Sequence, residues 1–205
     1  MTAPALPASG LSIRPVRPAD REALFDICLK TADSGADGTA LFSDPRLPGY
    51  VWAVPYATLE PDFAFVLTRD DHPIGYVIAA PDTAAFERRL ETEWWPGVRR
   101  AVADLTPRLP LDANALAHIM TPERHDPARL DAYPAHLHIN ILPEAQSGGW
   151  GRRLIETELA ALAKAGVRGV QLGVSPTNAR ARGFYAHVGF TDISRGDEVV
   201  FAMKL

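Results

Sequence analysis

The sequence predicts an α/β (α+β) protein in which short strands alternate with amphipathic helices around a single core. Three observations carry that reading. Ile139-Asn140-Ile141-Leu142-Pro143 is an alternating run ending at a proline; a glycine-rich turn follows, and then Leu154, Ile155, Leu159 and Leu162 recur at helical spacing. The same order returns further on, where Gly169 to Ser175 reads as a strand and a polar segment with Asn178 leads into another helix. Phe63 to Thr68 and Ile74 to Ala80 read as paired strands, joined by the turn Arg69-Asp70-Asp71-His72-Pro73.

The remaining elements follow in chain order. The first ten residues read as a flexible tail, with no basic n-region or apolar core of a signal peptide. Leu11 to Val16 alternates as a first strand, and Pro18-Ala19-Asp20 opens a helix with Asp20 as its N-cap and Leu24, Ile27 and Cys28 as its buried stripe. Thr31 to Gly38 is a small, polar break, and Pro45 to Ala57 is a short helical or turn region around Tyr50, Trp52 and Tyr56. Between Asp82 and Pro134 the pattern becomes helical. One helix carries Phe86, Leu90 and Trp94 and stops near Pro96-Gly97, and Val98 to Leu105 and Asp112 to Met120 supply further pieces. Glu198 to Leu205 is a strand that finishes the sheet.

A chain of 205 residues suits one domain, here residues 11–205, with the helical segment at about 83–134 as an insertion. Apolar residues at 47% and charged ones at 22% are those of a globular protein, and a net charge of −4 speaks against a nucleic-acid partner. No apolar run is long enough to span a membrane, so the expectation is a cytoplasmic protein. The lone Cys28 excludes an internal disulfide and reads as a buried thiol. Six histidines show no ligand-set spacing, so no metal is expected.

Strand, tight turn and helix start in that order aim several backbone N–H groups at one anion. The first N–H groups of a helix lack intrahelical partners, and the macrodipole makes that end positive. Gly148, Gly149 and Gly151 let a pyrophosphate approach the main chain, and Arg152 and Arg153 add charge beside it. The turn is not a dinucleotide fingerprint, because the glycine order differs and Gln171 to Ser175 offers no acid. Nor is it a nucleotide P-loop, because no Lys-Ser or Lys-Thr follows the last glycine.

What the turn does match is Q-x-x-G-x-G, as Gln146-Ser147-Gly148-Gly149-Trp150-Gly151. The later run Asn178-Ala179-Arg180-Ala181-Arg182-Gly183-Phe184-Tyr185-Ala186-His187-Val188-Gly189-Phe190 matches a second, linked pattern. Together they resemble the GCN5-related N-acetyltransferase (GNAT) superfamily. Gly75 to Phe86 with Trp94-Trp95-Pro96, and Val54-Pro55-Tyr56 before Leu59-Glu60-Pro61, are similar to the acetyltransferase-like domain of animal O-GlcNAcase and its free-standing bacterial relatives. The resemblance runs from about Tyr50 to the end and implies the GNAT fold: a single mixed sheet of about six to seven strands flanked by helices, with the insertion between strands 3 and 4.

It also implies an acetyl-CoA-dependent N-acetyltransferase that transfers an acetyl group to a primary amine by direct attack in a ternary complex, releasing CoA. Backbone N–H groups near Ile141 then face the thioester carbonyl, Leu142 lies along the pantetheine arm, and Gln146, Ser147, Gly148, Gly149, Trp150, Gly151 and Arg152 hold the pyrophosphate. Tyr185 matches the general acid, a phenol that stays protonated at neutral pH; its other reading is a core aromatic beside Phe184. Asn178 either contacts cofactor or caps the helix after it. The base is left among His138 or His136, which share a strand face with Asn140, Asp82, and ordered water. Asp82 also reads as a helix N-cap. The acceptor is a small amine or a peptide end, and the protein a monomer or homodimer. An alternative in another class is a catalytically inactive module that recognises a peptide or glycan.

Overall fold

The computed structural model describes residues 10–146 and 148–205, so the expected tail (save Gly10) and Ser147 lie outside the described residues. The elements run β1 (Leu11–Pro15), α1 (Arg21–Leu29), α2 (Leu47–Trp52), α3 (Val54–Leu59), β2 (Ala64–Arg69), β3 (His72–Ala80) and α4 (Thr83–Arg89). They continue with α5 (Trp95–Ala101), α6 (Asp112–Met120), α7 (Pro127–Leu130), β4 (Ala135–Ile141), α8 (Trp150–Lys164), β5 (Gly169–Val174), α9 (Ala179–His187), β6 (Thr191–Asp192) and β7 (Val199–Lys204). The strands make one mixed sheet in the order β1-β2-β3-β4-β5-β7-β6, antiparallel throughout except between β4 and β5.

The β2–β3 hairpin is tighter than its sequence suggests. Asp70 and Asp71 both take positive φ (50° and 66°), as a two-residue hairpin turn requires, and the strands run to Arg69 and from His72. The register puts Tyr76, Ile78 and Ala80 of β3 opposite Asn140, His138 and His136 of β4. That face lies under α1 and α3. On the other face α8 packs against β2 and β3 with Leu154, Ile155, Glu158 and Leu162 inward.

Three local expectations are corrected. Pro96 does not stop a helix. The chain passes from α4 through a π-helical turn (Leu90–Trp94) into α5, where Pro96 sits in the first turn and its missing N–H has no intrahelical role. Asp20 does not cap α1 with its side chain. It instead accepts from the Arg17 N–H at 2.7 Å and takes both arms of the Arg14 guanidinium at 2.6 and 2.9 Å. The last strand, β7, is internal, between β5 and the two-residue β6, so β6 forms that edge of the sheet. No helix among the described residues is long and apolar enough to cross a membrane.

What positions the site is a split in the sheet. β4 and β5 pair only at Ala135↔Val170 and His136↔Gln171, and then diverge. Beyond them opens a cleft of about 1050 Å³ between the strand ends, bounded by the start of α8, by α9 and by the segment after α1.

Candidate functional site: the cleft between β4 and β5

The cleft floor follows from strand alternation. The Leu142 N–H donates to Ile74 O at 2.9 Å on β3, so alternate residues of β4 bond that way and Ile139 and Ile141 turn their N–H groups into the gap. The Gln146 side chain donates to the Ile141 carbonyl at 2.7 Å, which fixes the strand end where the loop departs. Leu142 itself is buried in the core, and its side chain does not line the cleft.

At the end of the loop, Gly149 has φ +75° and a Cβ built there would meet nothing within 4 Å. The glycine is needed for conformation, and it leaves open space directly before the free N–H groups of α8. Gly151 serves a different purpose. A Cβ there would come within 3.2 Å of the Phe184 ring, so it lets α8 and α9 approach each other. Gly149, Gly151 and Arg152 all line the cleft. The exposed Arg152 also pairs with Glu156 one turn on at 2.7 Å. The Trp150 indole lies beneath the Arg153 guanidinium at 4.7 Å and, like Gly148, is not part of the cleft wall.

The opposite wall comes from α9. Asn178 caps it, its Oδ1 accepting from the Ala181 N–H at 2.9 Å, and its Nδ2 donates across the cleft mouth to Ser34 O at 3.1 Å. One side chain thus caps a helix and ties two walls together. Tyr185 is buried among Phe184, Phe190 and Phe201 but reaches the cleft, and its hydroxyl makes no side-chain hydrogen bond among the described residues. Burial pushes its pKa well above the ordinary phenol value, so it holds its proton.

The histidines are organised by Tyr56, which the sequence marks as part of a short helical region and not as a site residue. The Tyr56 hydroxyl sits between His136 Nε2 at 2.7 Å and His138 Nε2 at 3.0 Å, and His136 Nδ1 lies 2.7 Å from Thr83 Oγ1. Burial is the main cause lowering both imidazoles, with nearby His125 adding to it: His136 goes well below its usual value and His138 falls to about 4. Both are neutral at neutral pH. His138 lines the cleft, whereas His136 is enclosed and bonded at both ring nitrogens. Asp82 stands elsewhere, capping α4 by accepting from the Ala85 N–H at 2.9 Å, and it lines neither the cleft nor the cavity beside it.

Arg180 and Gly173 also line the cleft, and neither was singled out from the sequence. A Cβ on Gly173 would meet nothing within 4 Å. A strand glycine with free space over it marks a place left open for close approach. The second motif already contained Arg180; Gly173 had no signal beyond interrupting an apolar strand. Cys28 borders the cleft from below, and burial pushes its thiol up to about 12.

Comparison with known proteins agrees with this architecture. The crystal structure of SsHAT shares 39% identity and a TM-score of 0.88, covering 95% of this chain and 98% of that one. Protein O-GlcNAcase of Rattus norvegicus is 24% identical over 189 residues; these are 90% of this chain, which spans about a fifth of the rat protein's length (20%). The structure of yncA from Salmonella typhimurium with its cofactor acetyl-CoA is like it in fold, at 12% identity and a TM-score of 0.56, covering 96% of this chain and 94% of that one. Residues 37–190, three quarters of the sequence and both motifs with it, match the acetyltransferase (GNAT) family, and the chain belongs to that family.

Proposed function

We propose that this acetyltransferase moves an acetyl group from acetyl-CoA to a primary amine by direct attack within a ternary complex. The observation that carries the reading is the split between β4 and β5, which leaves backbone N–H groups, a helix N-terminus and a phenol, the last two without side-chain partners among the described residues, around one cleft. The residues fit the cofactor. The open space at Gly149 before the first turn of α8 suits a pyrophosphate, with Gly151, Arg152 and Arg180 beside it and Gln146 bracing the loop.

When bound, acetyl-CoA supplies an acetyl group activated as a thioester. The Ile139 and Ile141 N–H groups then act as donors toward developing negative charge, typically worth about 3 kcal/mol each. Tyr185 holds at its Oη the proton that a departing thiolate needs. His138 is neutral and offers a lone pair to the acceptor amine. Its Nε2 is engaged by Tyr56, so Nδ1 is the nitrogen without a partner among the described residues. That nitrogen is the acceptor when protons run His138 Nε2–H to Tyr56 Oη, Tyr56 O–H to His136 Nε2, and His136 Nδ1–H to Thr83 Oγ1. A pKa near 4 makes His138 a weak base on its own, so the amine must reach the cleft already neutral. The buried, protonated Cys28 is a poor nucleophile, which favours direct attack over an acetyl-enzyme.

The reading includes a bacterial, cytoplasmic setting, a monomer or homodimer, and a small amine or peptide end as acceptor. Its test is thiol release from acetyl-CoA in the presence of a panel of primary amines. Amine-dependent release should fall by about 10²-fold or more in Tyr185→Phe with little change in KM. Equal rates in the two proteins would remove Tyr185 from the chemistry, and no release with any amine would overturn the reading.

A further inference from the structure

A second cavity of about 340 Å³ opens off the cleft, and the two share Trp52, Leu137, His138 and Gly173. Its floor is β4 and β5, and most of its remaining walls come from the segment between β3 and β4. Phe86 stands on α4, Trp95 on α5 and His118 on α6, and the loop 122–125 completes the lining, with the His125 ring 4.6 Å from that of His136. His118 is held between Trp52 and Trp95, with ring centroids 6.3 and 6.1 Å away, and burial lowers its pKa, so this wall is aromatic and uncharged. The charged groups are Glu87, Glu91 and Glu123 against Arg124. Glu87 accepts from the His125 backbone and ring, and Glu91 pairs with Arg99 at 3.2 Å; neither Glu123 nor Arg124 is in an ion pair among the described residues.

From this arrangement we infer that the cavity is the acceptor site, and that it takes a small amine with a flat, apolar body and a second positive charge. The inference rests on the acetyltransferase reading above, which puts the reacting amine beside His138. Gly173 stands at the junction with no side chain and keeps the passage between cleft and cavity open. Aromatic faces with carboxylates among them attract a cation and repel an anion. The volume suits a small molecule.

The test uses three probes that share an aminomethyl group on one benzene ring: p-xylylenediamine, benzylamine and p-aminomethylbenzoate, each titrated calorimetrically into protein saturated with CoA. The diamine should bind at least tenfold tighter than benzylamine, and the benzoate weakest. Glu87→Gln and Glu123→Gln should each cut the diamine's advantage about threefold and leave benzylamine unchanged; the amide introduced by Glu87→Gln keeps an oxygen for His125. Equal binding of diamine and benzylamine, tightest binding by the benzoate, or binding of an N-terminal tripeptide alone overturns the inference. CoA is titrated first. Failure of CoA to bind would overturn the acetyltransferase reading, whereas failure of every amine with CoA bound would overturn only the acceptor site.

Discussion

Glu158 lies on the face of α8 that packs on the sheet, fully buried, with neither carboxylate oxygen partnered among the described residues. Burial pushes its pKa from 4.5 to about 9. Between those values the folded protein keeps a proton that the unfolded chain has released, so stability must fall as pH rises. The slope is about 1.4 kcal/mol per pH unit, beginning near pH 4.5 and ending near pH 9. At pH 7 the accumulated cost is about 3 kcal/mol relative to acid conditions, a large share of an ordinary folding free energy. Glu158→Leu, of similar volume, removes both the titration and the unpartnered oxygens. It should be more stable than the parent at pH 7, by an amount that grows with pH. Urea denaturation at pH 6.5, 7.5 and 8.5 reads this as the difference between the two proteins, which also cancels the other titrating groups. His138 is one of them. Its lowered pKa works in the opposite sense, removing stability as pH falls from 6.5 toward 4. A constant gap across the series, or a leucine variant less stable at pH 7, would refute the reasoning.

Two further substitutions probe the fold and the histidine chain. Tyr56→Phe removes the hydroxyl shared by His136 and His138 and leaves an enclosed imidazole nitrogen without its partner. The expected results are a loss of about 1–3 kcal/mol in denaturation, a kcat lower by about tenfold or more, and an unchanged acetyl-CoA Kd. Burial works to raise Asp20, but the Arg14 guanidinium and the Arg17 N–H overcome it and hold its pKa below the usual range. Asp20→Ala leaves Arg14 only its pair with Asp71 at 2.8 Å and should cost about 1–3 kcal/mol, while Asp20→Asn, which can still accept, should cost less.

The glycine turn was legible because each of its residues answers a local need. A strand must end, a chain must turn, and a helix must begin with its N–H groups exposed. The same local logic placed α6 and capped α9 with Asn178. Tyr56 could not be read this way. It sits 80 residues from His136, on a short helix whose neighbours are apolar, and only the packing of α3 over β4 brings the rings together. The alternation of His136 and His138 on one strand face did carry a hint, since buried imidazoles require partners. Pro96 misled because proline stops a helix interior but is at home in a first turn, and the sequence does not show that a π-helical turn restarts the helix there. Asp82 and Asp20 both read as caps. Asp82 serves as one, and Asp20 is claimed instead by Arg14, a residue in the first strand.

The central claim is that the open space before α8 holds the cofactor's pyrophosphate. It is tested most directly by calorimetric titration of acetyl-CoA into the parent protein and into Gly149→Trp, with unfolding midpoints showing that the variant remains folded. The account predicts micromolar binding by the parent and its loss in the variant, where a large side chain at φ +75° must both strain the turn and fill the space. Absence of binding by the parent at millimolar acetyl-CoA, or equal affinity in the two proteins, would contradict it.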